Sequence, residues 1–199
     1  RLEKPEIITL LRGEGPRLVV DATHPYAEKI SQNLREACAA EKIRYVRLLR
    51  EETESDGCLS FSGWDELTDW LNRTEGMIFA ATGAKAARDL TRVKDFAARV
   101  YLRMLPSPEG IAACLALGYP MGHLICLQGP VSEELNRALF RETGAKILVT
   151  KESGKTGGFP EKLAAAKACG MTTAILKRPP EADGLSQEEV KRVILEVCR

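Results

Sequence analysis

The side chains best suited to chemistry fall in short polar clusters, each directly after an apolar run. Leu18-Val19-Val20 leads into Asp21-Ala22-Thr23-His24-Pro25-Tyr26, which holds one of only two histidines in the chain. Imidazole passes a proton near neutral pH, so His24, with Tyr26 close by, is the candidate for acid–base work. Asp21 and Thr23 are binding candidates at the same turn. A helix cap and turn would draw on the same residues, with Thr23 or His24 outside a first-turn Pro25. The other histidine, His123, precedes an apolar run and reads as structural.

Met77–Ala81 runs into Thr82-Gly83-Ala84-Lys85. If a helix starts there, its free N–H groups and the Lys85 charge favour an anion near Thr82 and Gly83, although a plain strand-to-helix turn has the same makeup. Leu124–Leu127 is followed by Gln128-Gly129-Pro130-Val131-Ser132. Gln128, Gly129 and Ser132 are candidates, while Ser132 with Glu133 and Glu134 also suits a helix start. Ile147–Thr150 is followed by Lys151-Glu152-Ser153-Gly154-Lys155-Thr156-Gly157-Gly158. A Walker A loop needs glycine where Val149 stands, so that reading fails. The loop's lysines, Glu152, Ser153, Gly154, Gly157 and Gly158 still suit phosphates or carboxylates gripped by backbone N–H groups. Thr173–Leu176 is followed by Lys177-Arg178-Pro179-Pro180, with Arg178 as the candidate. The cysteines at 38, 58, 114, 126, 169 and 198 form no C-x-x-C pair and have no nearby histidines, which excludes zinc-ribbon and dithiol spacing. They are expected to be buried, reduced thiols, and no metal site is expected.

Positioning these clusters takes strands that alternate with helices. Strands are expected at Leu18–Val20, Tyr45–Leu49, Met77–Ala81, Ala98–Leu102, Leu124–Leu127, Ile147–Thr150 and Thr173–Leu176. Tyr26, Ile30, Leu34 and Cys38 recur at a spacing of four, so a helix should begin at Thr23–Tyr26. Another should begin at Pro160 and close at Gly170. Ser186 and Glu189 form a capping box ahead of Val190, Val193, Ile194 and Val197. The alternation predicts an α/β fold of two Rossmann-like doubly wound parallel-sheet domains. The prolines of Leu105-Pro106-Ser107-Pro108 put the boundary there, giving domains 1–105 and 106–199, with the motifs facing a common cleft. Pro5–Leu11 reads as a helix leading straight into Leu18–Val20, where a Rossmann-like unit would place its third strand. No G-x-G-x-x-G occurs, so the first domain is expected to lack its opening strand-turn-helix and to bind a nicotinamide nucleotide weakly.

The 199 residues carry 29 Lys plus Arg against 28 Asp plus Glu, 44% hydrophobic and 29% charged. That composition excludes disorder and supplies no chain-wide field for nucleic acid or a membrane surface. With no apolar run of membrane length and no signal-peptide core, a cytoplasmic protein is expected.

Val20-Asp21-Ala22-Thr23-His24-Pro25-Tyr26-Ala27 resembles a motif of the precorrin-6A reductase family, including its cobalt-precorrin-6A branch. So do Gln128-Gly129-Pro130-x-Ser132-x-Glu134-x-Asn136-x-Ala138-Leu139, and Thr150 to Gly154 with Gly157-Gly158-x-Pro160-Glu161-Lys162. Arg103-x-Leu105-Pro106 and Arg178-Pro179 also fall where that family has them. The resemblance implies an enzyme of cobalamin biosynthesis that reduces one double bond of the macrocycle with NADPH or NADH. Its partners would be a polycarboxylate tetrapyrrole and, transiently, neighbouring pathway enzymes. The family's Gly-Gly-Thr turn, which helps hold the nucleotide, would precede Arg1, and Ala84 stands where the family commonly has serine. Scattered cations at strand ends, Lys85, Lys151, Lys155 and Arg178, suit the many carboxylates of such a ring. Two other readings use the same residues: a cofactor-free two-domain enzyme resembling uroporphyrinogen-III synthase, and a non-catalytic module for an anionic metabolite.

Overall fold

In the computed structural model, which describes residues 2–23, 26–49, 57–152, 157–177 and 183–198, the chain opens with helix α1 (Lys4–Glu14). Glu3 and Glu6 form its capping box, Pro5 sits in the first turn, and Gly15 at φ 57° ends it. Strand β1 (Leu18–Asp21) follows, then helix α2 (Glu28–Ala40) and strand β2 (Arg44–Arg47). The two strands pair in parallel, with Asp21 opposite Arg47. Helices α1 and α2 bury Ile7, Leu11, Ala37 and Cys38 together, with Ile30 and Leu34 packed alongside. The spacing-of-four stripe therefore faces this core. The last helix, α9 (Gln187–Val197), starts on the expected Ser186–Glu189 capping box and packs Val190 and Val193 on Val46, beside Leu18 and Val20. These elements form one compact unit, Arg1–Glu51 with Pro179–Arg199.

The second unit, Glu52–Arg178, holds a six-stranded parallel sheet. Its strands are β3 (Leu59–Phe61), β4 (Met77–Ala81), β5 (Val100–Met104), β6 (Leu124–Cys126), β7 (Ala145–Lys151) and β8 (Thr172–Leu176), in the order β3-β8-β7-β4-β5-β6. The central strands β4 and β7 are covered on both faces, which explains their unbroken apolar runs Ile78-Phe79-Ala80 and Ile147-Leu148-Val149. Helices α3 (Trp64–Leu71), α4 (Ala87–Leu90), α5 (Phe96–Arg99) and α6 (Pro108–Ala116) lie between β3 and β6 in the chain. Helices α7 (Glu133–Glu142) and α8 (Phe159–Ala168) pack side by side, and Phe140, Ala165 and Ala166 meet Phe79 and Leu148 of the sheet.

Several expectations need correction. The boundary at Leu105–Pro108 is not one, because β5 and β6 pair across it, Leu102 opposite Leu124, within a single sheet. Its prolines serve a strand-to-helix turn: Ser107 caps α6, accepting from Gly110 N–H at 2.9 Å, and Pro108 takes the first turn. Domains 1–105 and 106–199 give way to a discontinuous smaller unit and a continuous larger one. Helix α2 begins at Glu28, beyond Thr23–Tyr26, because Thr23 is held back by the Asp21 carboxylate. Strand β3 was not expected, since three residues at a sheet edge carry too little pattern to read. Cys126 and Cys198 are exposed, and Cys58 and Cys169 are half-buried, so only Cys38 and Cys114 are enclosed. Cys126 ends a three-residue edge strand, where one side has no neighbour to cover it. All six are free thiols.

Candidate functional site

At the carboxyl end of β1, Asp21 is enclosed and fully engaged. Its Oδ1 lies 2.8 Å from Arg47 Nη1 and accepts the Thr23 N–H at 2.9 Å, while Oδ2 accepts the Tyr45 hydroxyl at 2.7 Å. Arg47 also donates to Thr23 Oγ1 at 2.9 Å, and that hydroxyl shares a hydrogen bond with Ser31 Oγ at 2.9 Å. Burial pushes the Asp21 pKa up, but hydrogen bonds from Thr23, Ser31 and Tyr45 outweigh it and hold the carboxyl at about 2. Burial and the adjoining carboxylate push the Tyr45 phenol up to about 12. Asp21 and Thr23, the expected binding residues, are hydrogen-bonded to each other and to Arg47, Tyr45 and Ser31 at the end of β1. Tyr26 is half-buried ahead of α2; His24 lies outside the described residues.

In the larger unit the order of strands reverses between β4 and β7. β5 and β6 extend to one side of β4, whereas β7 and β8 lie on the other. Ligands of open parallel sheets sit in the crevice beyond the carboxyl ends at such a switch point. Thr82 and Gly83 leave β4 there, and Lys151 and Glu152 leave β7. Thr82 Oγ1 is buried with no hydrogen-bond partner. Gly83 takes φ 79° and donates its N–H to Arg103 O at 3.2 Å. The helix expected to hold an anion here is only a 3-10 turn, Ala84–Ala86, and the four residues of α4, too short to present a helix dipole. Lys85 is exposed. Lys151 lies 5.8 Å from the Trp64 ring centre, and burial lowers its pKa. The Glu152 N–H donates to Leu176 O at 3.4 Å. Gln128 and Gly129 are exposed after β6, and Ser132 Oγ caps α7 by accepting from Leu135 N–H at 3.3 Å. Gly158, at φ 65°, is the residue before α8, where a Cβ would come within 3.4 Å of Pro130. Gly157 adjoins it; Ser153, Gly154 and Arg178 lie outside the described residues. His123 is structural as expected, its Nδ1 3.2 Å from Val100 O and its ring stacked on Tyr101 at 4.1 Å, by the amino end of β5.

Three polar residues absent from the candidates meet near the switch point. Arg103 leaves β5 on the face covered by α7 and α8, 5.7 Å over the Phe79 ring, and donates to Asn136 Oδ1 at 2.7 Å. Asn136 is buried and donates in turn to Val131 O and Ser132 O at 3.0 and 2.8 Å. Lys162, in the first turn of α8, is 6% exposed. Burial first, then the Arg103 charge, pulls its pKa down to about 8 against an opposing pull from Glu161. Glu161 Oε2 is itself buried without a hydrogen-bond partner. Asn136 and Lys162 stand inside the motifs that carry the family resemblance, and Arg103 just before Leu105-Pro106. Their signal was a polar side chain at a position whose periodic neighbours are buried.

A six-stranded parallel sheet flanked by helices, with polar loops at its switch point, defines a doubly wound α/β protein. The family described as precorrin-6x reductase CbiJ/CobK matches residues 1–197, and the chain belongs to that family. A cobalt-precorrin-6A reductase of Priestia megaterium is 34% identical over 185 residues, which are 90% of this chain and 72% of that protein. One from Methanothermobacter thermautotrophicus is 38% identical over 165 residues, 81% of this chain and 54% of its own length. The chain thus spans about half of that second relative. Among solved structures, one titled CobK precorrin-6A reductase superposes with a TM-score of 0.74 at 24% identity, covering 98% of this chain and 79% of the other, and so shares the fold. Among the described residues no helix is long and apolar enough to cross a membrane.

Proposed function

We propose that this protein reduces one carbon–carbon double bond of the precorrin-6A macrocycle, or of its cobalt form, with hydride from NADPH or NADH. The observation that carries this reading is the family match over residues 1–197, joined by relatives of 34% and 38% identity named for that reduction. On this reading the protein works in the cytoplasm beside the enzymes that make and consume the same ring.

The described strand-to-helix turns do not fit a pyrophosphate cradle. Asp21 sits at the end of β1, Glu133 and Glu134 open α7, α4 is a single turn, and Pro160 removes an N–H from the start of α8. Calorimetry of this chain with NADPH should therefore give affinity weaker than micromolar. What the chain's own residues do is receive the macrocycle and complete the addition. Lys85 and Lys151 meet carboxylates at the switch point, with Thr82 Oγ1 as a donor in want of an acceptor. Saturating the double bond also requires a proton at one of its two carbons. His24 supplies that proton and Tyr26 orients the ring, because imidazole titrates near neutrality. The test is absorbance at 340 nm in the natural protein: precorrin-6A or its cobalt form should trigger oxidation of the reduced nicotinamide. Stable absorbance with both substrates would overturn the reading.

A further inference from the structure

We propose that the Trp64 indole is the surface against which a flat, conjugated ring of the ligand stacks, at the carboxyl end of the larger unit's sheet. The need for a flat ring stands on geometry; that the ring is the precorrin macrocycle rests on the reductase reading.

Phe61, Leu176 and Lys151 are register partners on β3, β8 and β7, so Lys151 stands two strand spacings, about 10 Å, from Phe61. Trp64 comes soon after Phe61, as the first residue of α3, yet its ring centre is 5.8 Å from Lys151 Nζ. Side chains from the two neighbours of β8 therefore meet at its carboxyl end, the end at which ligands of open parallel sheets bind. Thr82 and Gly83 leave β4 at the same end, on the other side of β7.

The other side chains in the first turn of α3 are engaged in holding the fold. Asp65 takes Arg92 at 2.6 Å, Glu66 accepts the Ser62 N–H and hydroxyl at 2.9 and 2.8 Å, and Leu67 is fully buried. Trp64 is only half-buried, and among the described residues no aromatic ring packs on it. The second tryptophan of the chain, Trp70, lies in the same helix and packs on the Phe61 ring at 5.3 Å. One tryptophan of α3 thus serves the core, and the other stands at the ligand-binding end with part of a large π face in water. Such a face accepts any flat conjugated ring, whether of a tetrapyrrole or of a nucleotide. The macrocycle is the ring assigned, because the described strand-to-helix turns do not fit the pyrophosphate that a nucleotide would bring with it, and because Lys151 beside the indole suits the carboxylates at the rim of a stacked tetrapyrrole.

The test uses uroporphyrin III, a flat octacarboxylate tetrapyrrole, titrated into the full chain and followed by its fluorescence, with each variant shown to be folded by circular dichroism. Trp64→Ala should weaken binding roughly tenfold to a hundredfold, the usual cost of removing an aromatic stacking partner. Trp64→Phe keeps a π face and should stay within about threefold of the wild type, whereas Trp64→Leu, apolar without one, should bind nearly as weakly as the alanine variant. Trp70→Phe should bind as the wild type. A merely structural Trp64 would lower the urea midpoint of the alanine and leucine variants and leave their affinity unchanged, which overturns the proposal. Equal affinity of the phenylalanine and leucine variants overturns it too, as does absence of binding by the wild type. A parallel titration with NADPH separates the two kinds of ring: an affinity for NADPH that depends on Trp64 while that for uroporphyrin III does not overturns the assignment to the macrocycle. Turnover of precorrin-6A is measured alongside. If turnover is present while the variants bind normally, the stacking face falls alone; if turnover is absent while binding depends on Trp64, the reductase reading falls and the stacking face stands.

Discussion

Arg47 and Asp21 meet at 2.8 Å with almost no solvent on either side, so each charge offsets part of the cost of enclosing the other. Asp21→Asn removes the carboxylate that Arg47, Thr23 and Tyr45 share, and should cost about 3–5 kcal/mol in urea unfolding. The Asp21 carboxyl, held down by hydrogen bonds from Thr23, Ser31 and Tyr45, sets an acid limit. The folded pKa of about 2 lies below the ~3.9 of an unfolded aspartate, so its contribution is complete above about pH 4 and drains away as pH falls through 2. Two units correspond to about 2–3 kcal/mol. Equal stability of the wild type at pH 2 and pH 6 would contradict this. At the neighbouring turn, His24→Ala should lower kcat by ~10²–10⁴-fold if His24 is the proton donor. If it merely caps a helix, the variant should lose about 1 kcal/mol of stability with turnover preserved, and His24→Asn should restore the loss. Measuring kcat and the unfolding midpoint on both variants separates the two.

At the scale of elements, local chemistry explains the starts of helices better than their partners. Ser132 was a binding candidate, yet its hydroxyl accepts Leu135 N–H and closes the first turn of α7, with Glu133 and Glu134 matching the dipole. Ser132→Ala should therefore lower stability by about 1 kcal/mol, and Ser132→Asp should recover most of it. Failure of the aspartate to recover stability would argue that the hydroxyl has another task. Pro108 likewise belongs to a helix start, because proline in a first turn loses no hydrogen bond, and Pro106 stands just ahead of the Ser107 cap. A proline pair marks a change of direction, and a change of direction within one sheet looks the same in sequence as a passage between domains.

At the scale of the whole molecule, the smaller unit is closed by residues from the far end of the chain. Helix α9 covers β1 and β2 through Val190 and Val193, and Leu185 continues the pairing of β2 through its N–H to Arg47 O at 2.8 Å. Removing residues 183–199 should strip that cover from Leu18, Val20 and Val46. Hydrogen exchange should then lose protection across 18–47 while β4 and β7 keep theirs; uniform loss across both units would show that they fold as one. Sequence by itself determined the alternation of strands and helices, the α9 capping box, the stripe of α2, and the motifs that carry the family resemblance. Each of these is written in neighbouring residues, where hydrogen-bonding groups and apolar spacing act over one or two turns. Only the tertiary structure decided that α9 returns to the first unit, that β5 and β6 share a sheet, and that Arg103 and Lys162 lie together. Periodicity shows which face of an element is buried, but the surface it is buried against comes from distant parts of the chain. Asp21 shows the same limit for chemistry: a carboxylate at a strand end looks ready to bind until the fold supplies Arg47 and Tyr45 to occupy it.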